Sequence, residues 1–131
     1  MAHKILIIDD DIDLIEVLRI VLESHGYTVL DAQDGDRGFR MIETEKPDMV
    51  ILDVMMRTED EGFVIARKIR STPVIADIPI IMLTAVSQQT GYQYNKDDET
   101  LPVNEFLEKP VMPDTLIGYI EKYLGRNVNH D

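Results

Sequence analysis

The chain has 131 residues, enough for one domain that buries a core without cross-links. A hydrophobic fraction of 44% excludes global disorder, and the absence of cysteine excludes disulfides, thiolate metal sites and a cysteine nucleophile. The formal charge is −12, from 13 Lys and Arg against 25 Asp and Glu, which sets the isolated domain against nucleic acid.

Lys4 to Ile8 (KILII) is a short, continuous apolar run, the pattern of a strand buried on both faces, and Asp9-Asp10-Asp11 follows at once. Leu14, Ile15, Leu18, Val21 and Leu22 then fall at helical spacing, with Asp11 as N-cap and Gly26 as the stop. Tyr27 to Leu30 reads as a second strand. Asp34 to Glu45 reads as a weaker helix, in which Gly38 costs about 1 kcal/mol relative to Ala. Pro47 ends that helix, and Met49 to Leu52 is a third strand ending at Asp53. Gly62 to Arg70 is helical through Phe63, Ile65, Ala66 and Ile69, and Pro79 to Leu83 is a fourth strand ending at Thr84. Phe106-Leu107 is a short fifth strand before Lys109-Pro110. A last helix carries Leu116, Ile117, Ile120, Tyr123 and Leu124 on one face, with Pro113 in its first turn.

Strands alternating with helices imply crossover connections, hence an α/β parallel sheet covered on both faces. No run approaches the roughly 20 apolar residues of a membrane helix, and Met1 to Lys4 has no signal-peptide segment. A soluble, cytoplasmic protein without membrane insertion is therefore expected. Residues 127–131 are expected to fray.

Polar residues follow four of the five predicted strands: Asp9 and Asp10, Asp53, Thr84, and Lys109. In an open α/β sheet, ligands bind outside the carboxyl ends of the strands, so these distant residues converge on one edge. Carboxylates gathered there repel one another unless a cation sits among them. Mg²⁺ suits such a set, since it takes one or two carboxylates plus phosphate oxygens. A lysine and a hydroxyl beside the acids complete a phosphoryl site, with Asp53 as the nucleophile. Taken singly, Asp-Asp can be a helix N-cap region, Asp53 a turn residue, Thr84 a backbone partner and Lys109 a surface charge. Their joint order and placement are the stronger signal.

The segments KILIIDDD, PDMVILDVMM, IPIIMLTA and FLEKP together resemble the receiver domain of two-component response regulators, of the free-standing, chemotaxis-regulator-like kind. The resemblance spans nearly the whole chain and implies a (βα)5 flavodoxin-like fold over residues 1–126. It implies that Asp53 accepts a phosphoryl group from a phosphohistidine on a sensor histidine kinase or histidine phosphotransfer protein. Asp9, Asp10, Asp53 and the Met55 backbone carbonyl would hold Mg²⁺. Thr84 would bond the phosphoryl group, Lys109 would pair with it, and Phe106 would be the switch aromatic that turns inward as Thr84 moves. A domain of this kind catalyses only its own phosphorylation and dephosphorylation, acts on a downstream protein target, and is a monomer or weak dimer. The residues after Leu124 are not expected to form an output domain, so signalling is expected through protein contacts, a relay, or a domain beyond the chain.

Three departures from the family pattern stand out. The loop Arg57 to Gly62 lacks the usual Pro and carries an extra residue. Residues 86–104 are polar, contain Gly91 and show no helical stripe, so a short fourth helix or none is expected. Met112 replaces the Asp that often caps the last helix. Two other functions compete. A haloacid-dehalogenase-type phosphatase would use Asp9 and Asp11, with Thr84, Lys109 and Asp97-Asp98, but leaves Asp53 without a role. A phosphorylation-independent interaction module with a receiver fold would draw its support from the altered 86–104 segment.

Overall fold

The structure, a computed structural model, describes residues 3–54, 56, 60–85 and 103–125. Five strands, β1 (Lys4–Ile8), β2 (Thr28–Ala32), β3 (Met49–Asp53), β4 (Ile80–Ala85) and β5 (Glu105–Lys109), form one parallel sheet in the order β2-β1-β3-β4-β5. Four helices lie among the described residues: α1 (Ile12–Ser24), α2 (Gly35–Glu45), α3 (Glu61–Arg70) and α4 (Pro113–Leu124). A 3-10 turn covers Pro73–Ile75.

The alternation of side chains across each strand divides the core into two layers. Ile5, Ile7, Met49, Ile51, Ile81, Leu83 and Leu107 pack under α1 and α4. Leu6, Ile8, Val50, Leu52, Ile80 and Met82 pack under α2 and α3. This is the parallel α/β sheet covered on both faces that the strand and helix pattern implied, and the doubly wound, flavodoxin-like fold that the resemblance implied. Each fully buried aliphatic side chain contributes about 1.5–3 kcal/mol relative to exposure. The order of the sheet reverses direction between β1 and β3, and that switch point is where an open sheet leaves room for a ligand.

The caps follow the sequence. Asp11 accepts from the Leu14 amide at 3.2 Å, Asp34 accepts from the Arg37 amide at 2.8 Å, and Gly26 turns out of α1 at φ 88°. Met112 supplies no side-chain cap to α4, in keeping with its apolar chemistry. Gly38 has a packing reason to be there, since a Cβ at that position would lie 2.4 Å from Ile8 Cδ1.

β4 runs from Ile80 to Ala85, one residue later at each end than its sequence reading of Pro79 to Thr84, and two strands differ more. β2 begins at Thr28 and runs on to Ala32, because Lys4 to Ile8 pair with it residue by residue. Arg19 holds that added stretch by donating to Asp31 and to the Val29 carbonyl. β5 extends from Glu105 to Lys109, its buried Glu105 accepting from Lys122 Nζ at 2.9 Å and Tyr123 OH at 2.6 Å. Beside it, Asn104 Oδ1 accepts from Arg70 and from the Ile80 amide, both at 2.8 Å. Residues 86–102, the Arg57 side of the β3–α3 loop, and the tail 127–131 lie outside the described residues.

The junction of β3 and α3 is the tightest point of the backbone. The Gly62 amide donates to the Val54 carbonyl at 2.8 Å, and a Cβ on Gly62 would lie 2.2 Å from the Asp53 carbonyl oxygen and 2.8 Å from Val54 Cα. Neither neighbour can yield without moving the strand. We expect Gly62→Ala to destabilise the fold by about 3 kcal/mol in urea titrations, as overpacking against backbone does. Gly118 is the control: nothing lies within 4 Å of its Cβ position on the exposed side of α4. Gly118→Ala should stabilise by about 0.5–1 kcal/mol through helix propensity alone. A Gly62→Ala variant as stable as the wild type would disprove the close packing at this junction.

Candidate functional site

The layer beneath α1 and α4 ends in charge. Asp9 continues the row Ile5-Ile7, Asp53 the row Met49-Ile51, and Lys109 follows Leu107, so the period of two that buries the aliphatics delivers these three side chains to one end of the same layer. Asp9 is 0% exposed and Asp53 is 2% exposed. Lys109 Nζ stands between them, 3.4 Å from Asp9 Oδ2 and 3.4 Å from Asp53 Oδ1. Asp10 is exposed, yet a carboxylate oxygen from each of Asp9, Asp10 and Asp53 lies within 4.8 Å of the others. Local structure sets these positions. The Asp9 amide donates to the Ala32 carbonyl at 3.0 Å, Asp9 Oδ1 accepts from the Asp11 amide at 2.9 Å, and the Val54 amide donates to the Leu83 carbonyl at 3.0 Å.

One ammonium does not balance the buried acids. Burial pushes the Asp53 carboxyl up to about 7, and the charge of Asp9 adds to the rise against the pull of Lys109. Asp9 is also raised, chiefly by burial, while the Asp11 amide and Lys109 oppose the shift. Burial works against the charge of Lys109 too, but Asp53 and Asp9 outweigh it and hold the ammonium above its ordinary value. Apart from their 3.4 Å ion pairs with Lys109, Asp9 Oδ2 and Asp53 Oδ1 are buried with no hydrogen-bond partner among the described residues. Carboxylate oxygens that are crowded, desolvated and free of hydrogen bonds fit a hard divalent cation, which binds through oxygen. Asp9, Asp10 and Asp53 can therefore hold a metal ion.

Thr84 is at the same sheet edge, one residue beyond Leu83, which pairs with Asp53. It is 2% exposed, and its Oγ1 is buried with no hydrogen-bond partner among the described residues. Along β4 it continues the row Ile80-Met82, so it belongs to the layer under α2 and α3. Phe106 is half-buried against that same layer, its ring centroid 6.2 Å from that of Phe63. Met55 lies outside the described residues, as does the Asp97-Asp98 pair that a phosphatase would need. Asp11, the second acid of the phosphatase reading, is occupied as the cap of α1.

The sequence reading missed Glu61. This acid is 6% exposed at the start of α3, and its Oε2 accepts from the Gly35 amide at 2.8 Å. In the run Arg57-Thr-Glu-Asp-Glu-Gly62 it looks like one more solvated loop charge. Nothing local to it signals its partner, since Gly35 lies 26 residues earlier.

The comparisons with known proteins agree with this geometry. The sequence pattern described as "Response regulator receiver domain" matches residues 5–121. The chain is 32% identical to the alkaline phosphatase synthesis transcriptional regulatory protein PhoP of Bacillus subtilis (strain 168) over 131 residues, 97% of this chain and 50% of that protein. It is 32% identical to the phosphate regulon transcriptional regulatory protein PhoB of Pseudomonas aeruginosa, covering 96% of this chain and 53% of that protein. The chain thus spans about half the length of these relatives. Among solved structures, the chemotaxis protein CheY4 of Vibrio cholerae superposes with a TM-score of 0.81 at 25% identity, covering 94% of this chain and 99% of that one. A CheY-like response regulator receiver domain protein from Methanospirillum hungatei JF-1 gives a TM-score of 0.78 at 25% identity, covering 95% and 94%. The fold, the acidic pocket with its lysine, and these matches together make the chain a member of the response regulator receiver domain family.

Proposed function

We propose that the chain is a phosphorylation-dependent signalling switch in which Asp53 accepts a phosphoryl group from a phosphohistidine on a sensor histidine kinase or histidine phosphotransfer protein. The observation that carries this reading is Lys109 Nζ, held 3.4 Å from both buried carboxylates at the end of the sheet. A nucleophilic carboxylate must be ionised, and the ammonium favours that form against burial. Asp53 forms the new P–O bond as the P–N bond of the donor breaks, and the imidazole departs with the electron pair. The ammonium of Lys109 then neutralises charge on the phosphoryl oxygens, while the partnerless hydroxyl of Thr84 donates to one of them. Asp9, Asp10 and Asp53, with the Met55 carbonyl, would hold Mg²⁺, which when bound supplies positive charge to the carboxylates and the phosphoryl group. Phe106 serves as the aromatic that follows Thr84, since both belong to the layer under α2 and α3. The chain catalyses only its own phosphorylation and dephosphorylation, works in the cytoplasm, and passes its state to a downstream protein. No helix among the described residues is long and apolar enough to cross a membrane.

The phosphoacceptor is tested by mass spectrometry after treatment with acetyl phosphate and Mg²⁺. The wild type should gain one phosphate and Asp53→Asn none. Label persisting in Asp53→Asn but absent from Asp9→Asn would transfer the nucleophile's role to Asp9 and restore the phosphatase alternative.

The electrostatics give a second expectation for the metal-free protein. The native state keeps the Asp53 proton up to about 7, whereas an unfolded chain loses it near 3.8. Between those values the native state binds more protons, so stability falls as pH rises through the window and returns on acidification. Asp53→Asn should remove much of this dependence and stabilise the metal-free fold at neutral pH by at least about 1 kcal/mol, given the free energy of a one-unit shift. Urea titrations from pH 4 to 8 in a chelator decide the matter. A variant that is less stable than the wild type at pH 7.5, or equally steep in pH, contradicts the assigned repulsion.

A further inference from the structure

Receiver chemistry needs Asp9 and Asp53 at a fixed spacing; they end adjacent strands, paired as far as Ile8 and Leu52, and their side chains meet at Lys109. A second path runs behind the sheet. Ile8, the residue before Asp9, is pressed against α2 at Gly38, where a Cβ would lie 2.4 Å away. The first amide of the same helix, on Gly35, donates to Glu61 Oε2 at 2.8 Å. Glu61 leads directly into Gly62, whose amide bonds the Val54 carbonyl at 2.8 Å and where a Cβ would lie 2.2 Å from the Asp53 carbonyl oxygen. α2 is thus a strut with one foot beside Asp9 and the other beside Asp53, and Glu61 is the joint at the second foot.

The joint is built closely. Gly35 has no side chain, and a Cβ there would lie 2.8 Å from Glu61 Oε2 and 2.6 Å from Ile65 Cγ1. The carboxylate occupies the amide end of a helix, where the partial positive charge of the peptide dipoles suits an acid. Asp34 caps the same turn by accepting from the Arg37 amide, so Glu61 takes a donor that the helix's own cap leaves over. Further along the same pair of helices, Lys68 Nζ lies 4.3 Å from the Phe39 ring centroid and ties α3 to α2 again. Glu61 is not among the acids whose oxygens converge on the metal cluster, so its influence passes through Gly62 and the end of β3.

We infer that Glu61 is a positioning residue for the acidic pocket, setting through the α2 strut the spacing at which Asp9 and Asp53 face a cation and a phosphoryl group. The inference rests on the receiver reading above and adds a residue to it. The acceptor oxygen is what matters, so glutamine retains the function and alanine loses it.

The test compares wild type, Glu61→Gln, Glu61→Ala and Gly35→Ala, the last keeping the acid but forcing it off the helix. Mg²⁺ affinity is read from chemical-shift titration of the backbone amides, and phosphorylation from the acetyl phosphate concentration dependence at saturating Mg²⁺. Glu61→Ala and Gly35→Ala should weaken Mg²⁺ binding about tenfold or more, the usual scale for groups that orient metal ligands. Their maximal phosphorylation rate at saturating Mg²⁺ should fall, while Glu61→Gln stays within about twofold of the wild type. Gly35→Ala carries the test if Glu61→Ala does not fold. Wild-type Mg²⁺ affinity in a folded Glu61→Ala or in Gly35→Ala overturns the inference, as does a Glu61→Gln variant as impaired as Glu61→Ala. A wild type that binds Mg²⁺ but takes no phosphate overturns the receiver reading instead, and the Mg²⁺ affinities of the variants still decide the role of Glu61.

Discussion

Two carboxylates, Asp9 and Asp53, are withdrawn from water at the end of an apolar sheet, and a single ammonium lies between them. Left alone, that arrangement is an electrostatic deficit: burial disfavours both anions, and each disfavours the other. The rest of the molecule can tolerate it because the layers behind are closely filled with aliphatic side chains. Ile5, Ile7, Ile51 and Leu83 are fully buried beneath α1 and α4 and hold the strand ends in register. Function and stability therefore pull in opposite directions at this edge. A charge-poor pocket would be more stable, but it would have nothing to offer a cation or a phosphoryl group.

The same alternation that builds the core also sorts the site. Asp9, Asp53 and Lys109 close the layer under α1 and α4, whereas Thr84 and Phe106 belong to the layer under α2 and α3. The charged centre faces one side of the sheet, and the two residues assigned to the switch face the other. The centre and the switch are neighbours along the edge yet report to different pairs of helices. The two are linked through the sheet itself, by the Asp53–Leu83 pairing and the chain step to Thr84.

Much of this was legible in the sequence because it is local. Buried parallel strands read as continuous apolar runs, and Lys4–Ile8 and Met49–Asp53 were recognisable for that reason. Asp9, Asp10, Asp53, Thr84 and Lys109 stood out because each follows such a run. The pieces that escaped depend on partners distant in the chain. Glu105 fell outside the strand read at Phe106-Leu107, since Lys122 and Tyr123, which neutralise and bind it, come 17 and 18 residues later. Glu61 escaped for the same reason, its partner Gly35 being 26 residues earlier. Gly38 was visible as a cost to helix propensity, but the benefit, closeness to Ile8, exists only in three dimensions.

The end of β5 opposite the pocket has a further consequence. Asn104 is bonded to Arg70, to the Ile80 amide and, through its carbonyl, to Tyr123, while Glu105 is bonded to Tyr123 and Lys122. Five residues from that anchorage, the same strand finishes in Lys109. The strand is thus clamped at its root, charged at its tip, and paired with β4 at every position from Glu105 to Lys109. Sliding Lys109 along the sheet would break the clamp and the ladder together, so the play left to the ammonium is that of its own side chain.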